Sequence, residues 1–143
     1  MSRTALYQEI LAFYALQAKL LDAGLHDEDK LRAWADTFTP DGSFWINFAP
    51  APAQGRDAIV AGIQRSTTHV REQDIVRRHW FSQLAVDDDG DRIRTRYYCL
   101  VFATAPGGTP VVDASTVAED VLERSAGGQL VVRSRQVRRD DIP

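Results

Sequence analysis

With 143 residues, 44% of them hydrophobic and 26% charged, the chain has the length of one domain, 1–143, able to bury a core and an internal pocket, and the composition excludes a disordered protein. A net charge of −3 gives no overall attraction for nucleic acid or an anionic membrane, so neither is expected as a partner. The single Cys99 excludes an intrachain disulfide and a thiolate zinc site and fits a cytoplasmic protein, and no run reaches the ~18 to 20 apolar residues of a membrane span. The first ten residues carry polar and charged groups where a signal peptide would need an apolar core.

In chain order, Leu6, Ile10, Phe13, Tyr14, Leu20 and Leu21 recur at helical spacing and predict an amphipathic helix that stops near Gly24. Asp27-Glu28-Asp29 puts negative charge where a second helix begins, with Leu31, Trp34, Ala35 and Phe38 as its apolar face. Thr39-Pro40-Asp41-Gly42 predicts a turn and Ser43 to Phe48 a short strand, after which Ala49 to Ala53, with two prolines, forms a loop or lip. A third helix is expected from Asp57, its N-cap, to Ser66.

Four strands follow, over Val76–Val86, Ile93–Ala105, Val111–Arg124 and Leu130–Arg139. They are joined by Asp/Gly, Pro/Gly and Gly-Gly turns, and the first two form a long hairpin. Asp87 to Asp91 reads as its turn and not as a calcium loop, because the register that sets Gly90 correctly ends on Arg96 where a Glu is needed. Helices first and hairpin-linked strands second make an α+β domain, with helices packed on one face of an antiparallel sheet. Both sheet faces carry Val, Tyr, Trp or Phe, so a homo-oligomer, dimer or trimer, is expected to cover the outer one.

Several local phrases, together spanning nearly the whole chain, resemble the nuclear-transport-factor-2-like superfamily, in particular its SnoaL-like branch of small polyketide cyclases, dehydratases and isomerases. They are Leu20-Leu21-Asp22-Ala23-Gly24, Trp34 through Gly42, Gly55-Arg56-Asp57-Ala58-Ile59, Arg78-His79 and Gly127 through Val132. The resemblance implies a cone: a strongly bent antiparallel sheet wrapped around the N-terminal helices, with an internal pocket for a small hydrophobic or aromatic ligand and no cofactor. It implies a lyase, cyclase or isomerase acting on a polyketide-like or cyclic carbonyl compound. The stretch Tyr14 to Asp22 is also similar to the small subunit of aromatic-ring-hydroxylating dioxygenases, which implies the alternative of a non-catalytic subunit or a ligand-binding protein.

His79 falls where scytalone dehydratase and related dehydratases carry a pocket histidine for acid/base elimination. The resemblance puts Lys19, one turn before Asp22, where those enzymes carry a helix carboxylate, which leaves Lys19 to bind an anionic group or to lie outside the pocket. The first-strand base of ketosteroid isomerases falls near Ile46, so that mechanism is not expected. Asp120, or Glu119 if the alignment slips by one residue, falls near the acidic group that polarises their carbonyl. From the residues themselves, an imidazole is the side chain best able to exchange a proton near neutral pH. His79 nonetheless also reads as an ordinary strand histidine, sharing a face with Phe81 and Gln83 while Trp80, Leu84 and Val86 take the other. Of Asp120 and Glu119, whichever enters a dry cavity would hold a proton more readily. The candidate catalytic set is His79, Asp120 and the phenol of Tyr14; the candidate ligand-binding set is Lys19, Trp34, Phe38, Trp45, Tyr98, Phe102 and Glu119; no metal site is expected.

Overall fold

The structure, a computed structural model, describes residues 1–143. Helix α1 (Arg3–Gly24) starts where the Ser2 hydroxyl accepts a hydrogen bond from the Ala5 amide at 3.0 Å, and it buries Leu6, Ile10, Tyr14 and Gln17. Helix α2 (Glu28–Ala35) is capped by Asp27 and buries Leu31, Trp34 and Ala35. Gly24 is still helical, and its role is close approach: a Cβ there would sit 2.7 Å from the Leu31 Cα, so the missing side chain lets α2 turn back directly onto α1.

Phe38 belongs not to α2 but to the start of strand β1 (Phe38–Ile46), which also takes in Thr39 to Gly42. That segment was expected as a turn; instead it is an irregular stretch between two paired ends, Phe38 beside Val132 and Ser43 beside Ser134. The two-residue β2 (Ala53–Gln54) folds back on Ser43 and Phe44 and leads into α3 (Arg56–Ser66). The N-cap of α3 is Gly55 at φ +88°, not Asp57, whose carboxylate lies in the first turn and accepts from Arg32 at 2.8 Å. A fourth helix, α4 (Thr68–Glu72), was not anticipated, being one turn with only Val70 buried.

Strands β3 (Val76–Asp88), β4 (Ile93–Thr104), β5 (Val111–Arg124) and β6 (Leu130–Arg139) complete a curled, unclosed sheet of order β2-β1-β6-β5-β4-β3. The domain is α+β as expected, and the sheet is antiparallel except where β1 runs parallel to β6. Two irregularities decide which side chains enter the cone. Gln83, at φ +56°, is a bulge in β3, so His79 and Phe81 before it and Leu84 and Val86 after it share the inner face, while Gln83 itself is exposed. A second shift, opposite Val121 and Leu122, turns both Val132 and Arg135 inward, which strict alternation along β6 would forbid.

The core is a single cluster in which Leu6, Ile10 and Tyr14 of α1 and Leu31 and Trp34 of α2 pack on Phe38, Tyr97, Ala118, Leu122 and Val132 of the sheet. Asp120 is the one carboxylate among the buried residues.

Candidate active site

Burying Asp120 requires partners, and four donors supply them. Arg135 donates through Nε and Nη2, each 2.9 Å from a different carboxylate oxygen; the Tyr14 phenol donates at 2.6 Å and the Tyr97 phenol at 3.3 Å. Because Tyr14 gives its proton to the carboxylate, the Thr95 hydroxyl at 2.5 Å is the donor in their contact. Arg135 Nη2 also donates to Gln17 Oε1 at 2.7 Å, and Gln17 passes the network on to Thr37 at 2.8 Å. Three aromatic rings, those of Tyr14, Phe38 and Tyr97, stand 5.5 to 5.8 Å from the guanidinium carbon.

The electrostatic consequence is a fixed cation. Burial by itself would lower the pKa of Arg135, but Asp120 and the two phenols hold it above the ordinary arginine value. Burial, reinforced by the Asp120 charge, pushes the Tyr14 phenol well above its ordinary value; burial does the same for Tyr97, where Asp120 again adds to it and Arg135 opposes it. Both phenols therefore stay protonated donors at neutral pH.

His79, at the inner face of β3, is held by Asp22 at the end of α1. Asp22 Oδ1 accepts from His79 Nδ1 at 2.6 Å and from the His79 amide at 3.1 Å. A carboxylate only accepts, so Nδ1 carries the proton, and Nε2 is the nitrogen left to exchange one. Positions 14, 18 and 22 follow one another at four-residue spacing, which aligns Asp22 with the stripe of α1 that faces the sheet.

Between α1 and the sheet lies a cavity of about 60 Å3 whose wall includes Tyr14, Gln17, Ala18 and Leu21 from the helix. His79, Phe81, Tyr97, Cys99 and Arg135 come from the sheet and Trp34 from α2. Most of its polar groups are spent on one another. Three are not: His79 Nε2 and Arg135 Nη1 make no protein hydrogen bond, and the buried Trp34 Nε1 has no partner. The wall thus offers one proton acceptor, one cation and one neutral donor. A wider depression of about 340 Å3 lies on the outer sheet face among Arg94, Arg96, Glu119 and Gln136. It contains none of these groups, and Asp120 reaches it only through its main chain, since its side chain is 0% exposed.

Three sequence candidates, His79, Tyr14 and Trp34, line the inner cavity, and Asp120 lies just behind it. Of Asp120 and Glu119, between which parity left the choice open, it is Asp120 that faces inward, where its oxygens take four donors and anchor Arg135. Lys19 is exposed, away from the cavity. A helix carboxylate does meet His79, but it is Asp22, one turn beyond the Lys19 at which the resemblance puts that group, and a lone acidic residue on the inward stripe of α1 was the available signal. Phe38 is core beneath Arg135. Trp45 packs under Arg138 at 5.0 Å and donates to the Ala49 carbonyl. Tyr98 and Phe102 lie on the outer face, the latter 5.7 Å from the exposed Trp80, and Glu119 is solvated, 3.9 Å from Arg96. Arg135, Gln17 and Cys99 had not been singled out as site residues.

Cys99 allows a direct check of the cavity wall. Burial pushes its thiol up to about 11, with the positive field of Arg135 opposing the shift. At pH 8 that leaves a thiolate fraction of ~10⁻³, against roughly a quarter for a free thiol of pKa ~8.5. Iodoacetamide is expected to label the folded protein at least ~10²-fold more slowly than the urea-unfolded chain. Because the folded value is the raised one, the associated stability is complete below pH ~8.5 and lost as pH climbs toward 11. Equal labelling rates would place the thiol in solvent.

Residues 2–135 match a family model described as a SnoaL-like domain. Among solved structures, a Catenulispora acidiphila protein determined in complex with S-DNPA is 38% identical, covering 97% of this chain and 96% of that one at a TM-score of 0.83. ActVI-ORFA from Streptomyces coelicolor is 34% identical over 98% of both chains, TM-score 0.87. Aln2 from another Streptomyces is 30% identical over 99% of this chain and 96% of that one, TM-score 0.85. The beta subunit of a putative aromatic-ring-hydroxylating dioxygenase from Novosphingobium aromaticivorans, 18% identical over 98% and 92% of the two chains at a TM-score of 0.71, shares the fold. No curated protein matches the chain.

Proposed function

This chain belongs to the SnoaL-like domain family, and from that premise we propose that it is a cyclase, dehydratase or isomerase acting by proton transfer next to a carbonyl group of a small cyclic, polyketide-like compound. The observation that carries this reading is the Asp22–His79 pair facing a cavity whose other charged group is the buried cation of Arg135. Asp22 fixes the ring so that Nε2 is the base. A C–H proton passes to Nε2, the electron pair moves onto the carbonyl oxygen, and the charge that develops there is met by Arg135 Nη1, whose burial the Asp120 ion pair already offsets. Returning the proton to a different carbon gives an isomer; returning it to a departing hydroxyl gives water and an alkene. The same enolate attacking a second carbonyl closes a ring.

That a related protein was determined with a small molecule bound supports a ligand in the corresponding space of this chain. The rival reading, a non-catalytic dioxygenase subunit or binding protein, draws on a neighbour that is alike in fold alone. The test is deuterium uptake at the α-carbon of a panel of enolisable aryl and cyclic ketones in heavy water, followed by NMR. Exchange above the buffer rate with at least one ketone is expected, and buffer-level rates throughout would sink the catalytic reading.

The outer sheet face exposes Trp80 (65%), Tyr98 (52%) and Val112 (56%) beside Leu100 and Phe102. Such a patch favours a homo-oligomer, dimer or trimer, that buries it. Light scattering at micromolar concentration is expected to give two or three times the chain mass, and Trp80→Glu to reduce it to that of one chain; a wild-type monomer would refute this. No helix is long and apolar enough to cross a membrane.

A further inference from the structure

Trp34 is 0% exposed and its indole N–H has no acceptor, although the phenols of Tyr14 and Tyr97 and the carboxamide of Gln17 on the same wall are paired. Leaving a buried donor unpaired costs roughly 1 to 3 kcal/mol, so such a group calls for an explanation in the bound state. Its neighbours supply none: Phe38 and Phe44 meet the indole edge-on, at 5.0 and 5.9 Å between centroids, and offer no lone pair. The ring is nevertheless wholly buried, packed beside those phenyls in the core. A dry donor in a cavity wall, unable to bond to the protein, is how a site discriminates between ligands that differ by one oxygen atom.

We propose that Trp34 is the specificity-determining residue of this cavity: its Nε1–H donates to a carbonyl or hydroxyl oxygen on the ligand, and so selects an oxygenated ring over its hydrocarbon counterpart. The inference rests on the reading of the cavity as the ligand site but not on His79 acting as a base. The occupant then has two recognised features. One is a ring that fits among Phe81, Leu21 and Tyr97; the other is an oxygen that accepts from Trp34, in addition to whatever charge develops against Arg135.

The test compares acetophenone with ethylbenzene, which share ring and size and differ by the carbonyl oxygen. Protein labelled with 15N-tryptophan shows three indole N–H signals, and the Trp34 signal is identified without altering it, by the losses in Trp45→Phe and Trp80→Phe. Acetophenone is expected to move the Trp34 indole proton downfield and to bind at least tenfold more tightly than ethylbenzene. Trp34→Phe, which keeps the bulk and removes the N–H, is expected to abolish that preference while ethylbenzene binding stays as it was. Equal affinities, an indole signal that does not respond to bound acetophenone, or no binding of either compound overturns the proposal. Repeating the titration on His79→Gln separates the two readings: a retained preference with deuterium exchange lost supports both Trp34 and the base, a retained preference with exchange intact leaves Trp34 in place and removes the base, and a lost preference means that His79, not Trp34, selects the oxygen and overturns the proposal.

Discussion

Asp120→Ala is expected to cost about 3 to 5 kcal/mol of folding stability, because it strands the Arg135 cation inside the cone with only Gln17 to accept from it. Against a total of ~5 to 15 kcal/mol for a domain, that is enough to leave a visible unfolded fraction near body temperature. The phenols of Tyr14 and Tyr97 lose their acceptor at the same time. Arg135→Met alone is expected to be similarly harmful, since it leaves a buried carboxylate with two phenols as its remaining donors. Asp120→Leu combined with Arg135→Met should recover most of the loss, because two apolar side chains of similar volume replace an ion pair that is costly to dehydrate. Urea denaturation of the four proteins measures the coupling directly. If Asp120→Ala lies within about 1 kcal/mol of the wild type, the carboxylate is not the structural anchor described above.

The second large effect is chemical. His79→Gln keeps the volume and a hydrogen bond to Asp22 but removes the titrating nitrogen, so deuterium exchange on a responsive ketone should fall by at least ~10²-fold. The melting temperature should hardly move, because the ring fills little of the core. Asp22→Asn tests the other half of the pair. Its side-chain amide can turn its N–H₂ toward Nδ1, which drives the ring proton to Nε2 and silences the base; a fall of comparable size is expected. A histidine variant that exchanges at the wild-type rate would end the proton-transfer proposal. A fall for His79→Gln with none for Asp22→Asn would keep the base and deny Asp22 its orienting role.

Much of this architecture is written locally, in residue types and short spacings. The apolar repeat of α1, the acidic start of α2, the Pro-rich lip and the turn residues between four β-rich runs specify helices first and hairpins second, which confines the chain to an α+β domain. The period of two put Asp120 and Glu119 on opposite faces of β5, which is regular from Thr116 to Val121, but left open which of them turns inward. His79 could be picked out as the side chain suited to proton transfer, since that depends only on its residue type.

What the tertiary structure decided are the quantities that depend on residues far apart in the chain. Arg135 reads along β6 as one of a row of surface cations, and only the register shift opposite Val121 and Leu122 rotates it into the cone. The bulge at Gln83 likewise returns Leu84 and Val86 to the face of His79, and nothing in the alternation of β3 announces it. The parallel pairing of β1 with β6 joins segments about ninety residues apart, beyond any local pattern. The partner of His79 lies 57 residues upstream on α1, one turn from the Lys19 to which the resemblance assigned that place. The residue type alone established that an imidazole was available; its charge partner, tautomer and access to a cavity arise from a helix and a strand packing together, which no window of sequence contains.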